Sequence, residues 1–417
     1  MSGMRRAMVW ALGALGALPA ALLVATPVAA SDWPACVKEL RTIATGKGVT
    51  AQVFDTALAG VQPDPDILKA FDSQPEFTIP IWDYLSGLVD DERVADGRRL
   101  MDQWAAVLAQ AEQKFGVDRF VIAAVWGVES DYGRIMGRRE LVRSLTTLSC
   151  SGRRQAFFRA ELLETLRILQ SGDIPAAALV GSWAGAFGQT QFMPSTYQRL
   201  AIDFDGDGRR DIIGSVPDAL GSTANYLRRA GWVTGQPWGY EVRLPPGYGG
   251  PAGRRTKQSI AQWSELGIRQ LDGSPLSGNG PAGLLLPAGA KGPAFIVFRN
   301  FDAIFAYNAA ESYALSIAHL ADRLRGGGSF ATPWPTDDPG IGRAERREVQ
   351  QRLLDRGFDI GTPDGIIGAR TRAAISAFQA SAGLPQDGRA GRRVLQALRA
   401  ATPASGQAPA AVPPPKG

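Results

Sequence analysis

Histidine is almost missing from this chain: its 417 residues contain one, His319. A zinc site built on a histidine pair is thereby excluded, and a Ser-His-Asp triad would have to run through His319. That residue lies in Tyr313-Ala-Leu-Ser-Ile-Ala-His319-Leu-Ala, whose spacing reads as one face of a helix, so the triad is set aside. Cysteine is nearly as scarce, with Cys36 and Cys150 the only two. Charge of one sign is also in short supply: 45 Lys and Arg against 40 Asp and Glu leave a net charge of +5. That mild basic excess suits a polyanionic partner but is too weak to indicate nucleic acid. No internal repeat is visible. What is there, 45% hydrophobic and 20% charged residues, is globular and long enough for two or more domains.

Residues 1–30 read as a secretory signal: Arg5 and Arg6 start it, an apolar run follows from Ala7, and Val28-Ala29-Ala30 offers a small-residue cleavage site. The run has the length of an uncleaved anchor, but Pro19, Pro27 and the alanine-rich content favour cleavage. Export permits Cys36 and Cys150 to pair, with none left over; two buried thiols are the alternative, because the sequence does not give their separation.

From Trp33 to about Gln113 the periodicity is helical, as in Val37–Ile43, Val53–Ala59 and Arg98–Ala111, with Phe77–Tyr84 a short extended or irregular passage. Arg154–Gln170 carries Phe157, Phe158, Leu162, Leu163, Leu166 and Leu169 on a helical stripe, which reads as core. Glycine and proline become frequent at about 233–300, where Tyr240–Leu244 and Ala294–Phe298 read as strands of a small β-rich insertion. Helical pattern returns at Glu311–Leu324. Residues 327–342 are a Gly- and Pro-rich linker, 343–400 a compact unit with helices near Glu345–Arg356, Ala369–Ala382 and Gly391–Leu398, and 401–417 an Ala- and Pro-rich disordered tail.

One acid stands out. Val121-Ile-Ala-Ala-Val-Trp-Gly-Val-Glu129-Ser-Asp-Tyr-Gly133 is a nearly all-round apolar helix, capped by Asp118 and ended at Gly133. Glu129 meets the negative end of the helix dipole and an apolar wall, and both raise a carboxyl pKa. An acid kept protonated near neutral pH is what glycosidic cleavage requires. Gly181-Ser-Trp-Ala-Gly-Ala-Phe-Gly-Gln-Thr-Gln-Phe-Met-Pro-Ser-Thr-Tyr197 adds the aromatic and uncharged hydrogen-bonding mixture that sugar sites use. Asp203-Phe-Asp205-Gly-Asp207-Gly-Arg-Arg-Asp211 has the spacing of a hard-cation loop, with the Arg209 carbonyl as a further oxygen. Gly214 stands where an EF-hand has its closing Glu, so Asp218 is the candidate to close the site. Ser215-Val-Pro-Asp218 is also a capping-box spacing, a competing role for that acid.

These motifs, in order, resemble the lytic murein transglycosylases of the membrane-bound B type. In that family Gly-Val-Glu precedes an aromatic and Gly, and this Glu is the only catalytic carboxylate, which points to Glu129. The Ser-Trp-Ala-Gly…Gln-Phe-Met-Pro-Ser signature is matched almost position for position, implying that Ser182 and Gln191 face substrate while Phe192 and Met193 line the groove. Ala224-Asn-Tyr226 and Tyr307-Asn308 followed by Tyr313 match further elements; the resemblance places Tyr226 at the cleft and Tyr307 and Asn308 near the carboxyl. Asn308, in an otherwise apolar run, needs a partner if it is buried. Arg153 and Arg154 match a basic pair that meets the substrate's peptide, and the family's calcium loop likewise takes an acid shortly downstream. No cysteine stands directly at the cleavage point, since Cys36 comes only after Asp32-Trp-Pro-Ala, a departure from the lipid-anchored members. Residues 343–400, with Asp364-Gly-Ile-Ile-Gly368 and Gly383-Leu-Pro-Gln-Asp-Gly388, resemble the three-helix peptidoglycan-binding module of wall enzymes.

The expected fold class is mainly α (α+β): a lysozyme-like helical catalytic domain over 31–326 with the β-rich insertion, plus the small three-helix module. The expected activity is non-hydrolytic cleavage of the MurNAc–GlcNAc bond to 1,6-anhydromuramic products by Glu129, with a hydrolytic muramidase or a non-catalytic wall-binding scaffold as rivals. A muramidase would need a second carboxylate, and Asp131 points off another side of the helix. Spacing and resemblance together lead to an expected structural Ca2+ on Asp203, Asp205, Asp207, Arg209 and Asp218, with no organic cofactor. Peptidoglycan strands and other wall enzymes are the expected partners of a monomer, which the leader and the missing lipid-anchor cysteine make soluble and periplasmic.

Overall fold

The computed structural model describes residues 33–72 and 79–401. The expected leader, the start of the Phe77–Tyr84 passage and nearly all of the expected tail lie outside the described residues. The chain begins with α1 (Trp33–Gly46), α2 (Ala51–Ala57) and α3 (Pro65–Asp72), then α4 (Ile81–Leu88), α5 (Asp91–Gln103), α6 (Ala105–Phe115) and α7 (Arg119–Ser130). Thr50 and Asp90 start α2 and α5 by accepting hydrogen bonds from the Val53 and Arg93 amides. Two expectations need correction. Ile81–Leu88 is helical, because Pro80 stands just before the first turn, where its missing N–H costs nothing. Arg98–Ala111 is two helices, broken where Trp104 leaves helical geometry at φ −105° and ψ 22°.

After β1 (Arg139–Glu140) come α8 (Leu141–Cys150), α9 (Gln155–Ser171), β2 (Val180–Gly181), α10 (Pro194–Leu200) and α11 (Val216–Arg229). The insertion holds β3 (Gly239–Arg243), β4 (Gly253–Gln258), α12 (Ile260–Glu265), β5 (Arg269–Gln270), β6 (Ala282–Leu285) and β7 (Ala294–Val297). Its strands form an antiparallel sheet in the order β4-β6-β7-β3-β5, with Tyr240 and Leu284 both opposite Ile296. Successive side chains of β7 face opposite ways. Phe295 and Val297 therefore join the main helical core, while Ala294 and Ile296 pack with Trp263 and Val242 in a small core of the insertion.

Two larger cores divide the helical part. One surrounds α7 with α5, α6, α11 and α14 (Glu311–Arg325); the other joins α1, α8, α9 and α10. Cys36 of α1 and Cys150 of α8 form a disulfide across the second core, with 5.8 Å between Cα atoms, which settles the question the sequence left open. Both α13 (Arg299–Asn308) and α11 carry tyrosines that touch both cores.

The expected linker is a strap rather than a free tether. Phe330 stacks on His319 at 3.9 Å, and the Ala331 and Thr332 amides each donate to the Glu241 carboxylate at 2.7 Å. Burial pushes the His319 pKa down to about 4, so the one histidine is a neutral core residue. Beyond the strap, α15 (Arg343–Leu354), α16 (Ala369–Ser381) and α17 (Arg392–Ala400) enclose their own core around Val349, Ile375 and Leu395. Arginines seat this module on the helical part: Arg346 donates to the Gly87 carbonyl, Arg347 pairs with Glu92, and Arg389 with Asp83. Among the described residues no helix is long and apolar enough to cross a membrane.

Candidate active site

Asp118 starts α7 by accepting from the Phe120 amide at 2.8 Å, and every residue from Val121 to Gly127 is buried. This apolar stretch holds the helix inside the fold, and Glu129, its penultimate residue, is half-buried beside Tyr313, whose neighbour Tyr307 touches both cores. Burial pushes the Glu129 pKa up to about 8; the hydroxyl of Tyr313, donating to its Oε1, works the other way. Tyr307 stacks beside Tyr313 at 6.2 Å, and Tyr226 packs on Tyr307 at 4.5 Å. Their hydroxyls are fixed by backbone: Tyr307 donates to the Thr190 carbonyl at 2.7 Å and Tyr226 to the Ala306 carbonyl at 2.6 Å. A Glu129 charge would raise the pKa of all three phenols, on top of their burial, which places the three tyrosines around the carboxyl.

The turn after Glu129 is tightly held. Gly127 has no room for a Cβ, which would lie 2.7 Å from Cζ of Tyr132, whose ring sits edge-on to Trp126 at 5.4 Å. Asp131 is salt-bridged to Arg93 at 3.2 Å and to Arg343 at 2.8 Å, with only 5% of its side chain exposed. Those arginines hold its carboxyl below the usual range against the opposing effect of burial. It is a committed anion, not a second acid beside Glu129.

The Gly181–Tyr197 segment is tied to the same helix. Trp126 Nε1 donates to Gln189 Oε1 at 2.9 Å, Ser130 Oγ donates to the Gln189 carbonyl, and Gln189 Nε2 donates to the Ile213 carbonyl at 3.1 Å. Gln189 therefore links α7, the Gly-rich segment and the end of the acidic loop. The sequence does not single it out, since it stands between Gly188 and the equally polar Thr190 and Gln191.

In the acidic loop Asp203, Asp205 and Asp218 each bring a carboxylate oxygen within 4.8 Å of the others. Asp218 is fully buried; its Oδ1 accepts from the Phe204 amide at 2.7 Å and its Oδ2 from the Asp211 amide at 2.7 Å. Ser215 does cap α11, but the Asp218 carboxylate turns into the loop instead of completing a capping box. Burial raises the Asp218 pKa against the pull of those amides, and the Asp205 charge adds to the rise. Three converging carboxylates, one of them buried, fit a hard cation with oxygen ligands. Asp207 stands apart, paired with Arg209 at 3.4 Å.

A family described as the transglycosylase SLT domain matches residues 32–322, and a peptidoglycan binding domain family matches residues 342–398. The chain belongs to the lytic transglycosylases. It is 35% identical over 244 residues to membrane-bound lytic murein transglycosylase B of Escherichia coli, a match covering 58% of this chain and 66% of that protein. SltB3 of Pseudomonas aeruginosa, solved with NAG-anhNAM-pentapeptide, is 47% identical with a TM-score of 0.71, over 88% of this chain and 99% of that one. The Escherichia coli lytic transglycosylase Slt35, solved with calcium, is 30% identical with a TM-score of 0.62, over 70% of this chain and 92% of that one. The helical catalytic part is thus the lysozyme-like transglycosylase fold, with its β-rich insertion and a three-helix wall-binding module.

In this transglycosylase several expected site residues play other parts. Phe192 is 1% exposed and lies beneath Tyr226 and Tyr307 at 5.9 Å from each, so it props the tyrosines instead of lining the groove. Gln191 adopts φ 50° and spends its amide on the Met136 and Gly188 carbonyls at 3.1 and 2.8 Å. Ser182 accepts from the Ala186 amide at 3.0 Å and is half-buried, as is Met193. Asn308 is exposed at the end of α13, so burial does not explain it. Arg153 and Arg154 are exposed in the α8–α9 turn, where Arg154 lies over the Phe157 ring at 4.4 Å. Among the described residues, Tyr313 donates a hydrogen bond to the Glu129 carboxyl.

Proposed function

We propose that this transglycosylase cleaves the β-1,4 bond between N-acetylmuramic acid and N-acetylglucosamine without water, Glu129 acting as acid and then as base. The observation that carries the reading is a single enclosed carboxyl with a pKa near 8, bonded to Tyr313, while its neighbour Asp131 is neutralised by arginines. Protonated Glu129 gives its proton to the leaving glucosamine oxygen as the C1–O bond breaks. The muramic N-acetyl carbonyl stabilises the oxocarbenium-like centre in place of a second carboxylate. Charged Glu129 then removes the proton of the muramic O6 hydroxyl, O6 closes on C1, and a 1,6-anhydro ring forms. Atoms balance with no water consumed, which suits a site with one acid and no base to activate water. Tyr226 and Tyr307, their rings tilted by 50° at 4.5 Å, offer the sugar aromatic surface.

We further assign Asp203, Asp205 and Asp218 to a structural Ca2+, with Asp207 and the Arg209 carbonyl as outer candidates; the calcium complex of Slt35 supports this. Glycan strands of peptidoglycan are the proposed partner of both the cleft and the module, for a soluble monomer in the periplasm once a leader over 1–30 is removed. The SltB3 complexes with NAG-anhNAM-pentapeptide and NAG-NAM-pentapeptide, and the match of the module to a peptidoglycan binding domain, support the substrate. Mass spectrometry of fragments released from purified sacculi tests the reaction. Anhydromuramic termini, one water lighter than reducing ends, are expected; reducing muramic termini would make this a hydrolase.

A further inference from the structure

The turn that ends the catalytic helix is strained and is completed by another domain. Asp131 and Tyr132, neither of them glycine, adopt φ of 52° and 60° in succession. Such backbone persists only where the surroundings over-determine it. Part of that restraint is internal: Arg93 donates to Asp131 Oδ1 at 3.2 Å, and the Tyr132 hydroxyl donates to the Arg93 carbonyl at 3.0 Å. Arg134 reaches Oδ2 at 3.2 Å from the exposed side. The rest comes from the C-terminal module. Arg343, the first residue of α15, donates to Asp131 Oδ2 at 3.0 Å and Oδ1 at 2.8 Å, a fork on both oxygens. Its side chain is 16% exposed, so the contact is largely shielded from solvent.

The seating of the module brings Arg343 there. A Cβ at Gly340 would lie 2.1 Å from Ser86 Oγ, so the strap runs flush against α4 just before α15. Arg346 and Arg347 then fasten α15 to Gly87 and Glu92.

We propose that Arg343 is a positioning residue for Glu129, acting through Asp131: a seated module completes the catalytic turn, so turnover depends on it even where wall binding does not. The inference rests on the acid role proposed for Glu129. Without Arg343, a buried carboxylate two residues from Glu129 keeps one buried cation, and the turn relaxes toward unstrained backbone. The carboxyl then loses its alignment with Tyr313 and the bond to be cleaved, where small misplacements are costly.

The test is steady-state kinetics of the full chain on short soluble peptidoglycan fragments, which do not need a wall anchor. R343A is expected to lower kcat about tenfold with KM within about twofold, as for an interaction felt in the transition state. R343K, which keeps the charge and a donor, recovers part of the loss. R41A, which removes the exposed Arg41–Asp55 pair away from the module, keeps wild-type kcat. R343A with native circular dichroism and wild-type kcat would overturn the inference and leave Arg343 as a clamp only. If R343A does not fold, R343Q decides in the same way: lowered kcat supports the inference and unchanged kcat overturns it. E129Q run in parallel separates the two claims. Full activity in E129Q would sink the acid reading itself, whereas a dead E129Q beside a fully active R343A would sink only the role of Arg343.

Discussion

A carboxyl that gives up a proton and takes another within one turnover works best with a pKa near the working pH. Glu129 is brought there by burial alone, since the Tyr313 hydroxyl favours the charged form and pulls the other way. Activity should therefore fall as pH rises through about 8, where the acid form is lost. Tyr313→Phe removes the one bond that stabilises the carboxylate, so the pKa of Glu129 should climb further and the alkaline limb of kcat/KM should move to higher pH. The same variant should lower kcat about tenfold or more, given about 1.5–3 kcal/mol for a hydrogen bond to a charged group. A limb that stays put in Tyr313→Phe would show that the phenol does not touch the titrating group. Glu129 itself could be picked out from sequence because its helix is so apolar around it. Its bond to Tyr313 could not, for the two are 184 positions apart and only tertiary packing joins them.

The elements explain which local readings succeed. The α7 helix is legible because Asp118 caps it and the eight consecutive residues Val121 to Val128 are apolar or small. The α4 helix is not, because Ile79-Pro80-Ile81-Trp82 carries the β-branched and aromatic residues of extended chain, with Pro80 placed where a helix tolerates it. The split at Trp104 is equally silent, since the apolar period runs across it. In the acidic loop the spacing revealed the carboxylates but not their geometry: Asp218 holds three loop amides, while Asp207 turns outward to Arg209. Calcium is expected to raise Tm by several degrees, since a ligand at about a hundred times its Kd adds about 2.7 kcal/mol. Chelation should reverse the gain. Asp205→Asn, exposed and thus tolerated by the fold, should abolish the response in a thermal melt. A Tm indifferent to calcium in the wild type would remove the metal from the account.

At the scale of the molecule, long-range ties decide what the parts can do. The Cys36–Cys150 disulfide closes a separation of 114 residues and fastens α1 to the end of α8. Replacing both cysteines by serine should cost about 2–5 kcal/mol and lower Tm by about 5–15 °C, with little effect on kcat below the transition. An unchanged Tm would mean that the bond constrains nothing the core does not already hold. The seating of the module is not legible in the sequence, because it rests on arginines that sequence alone assigns to a solvated face. The account as a whole stands on Glu129 being the one group that moves protons. The most direct measurement is digestion of purified sacculi by wild type and by Glu129→Gln, with bound protein and released fragments quantified together. The prediction is equal binding, with anhydromuramic fragments from the wild type and a loss of release of at least about a hundredfold in the variant. Release by Glu129→Gln at the wild-type rate would contradict it.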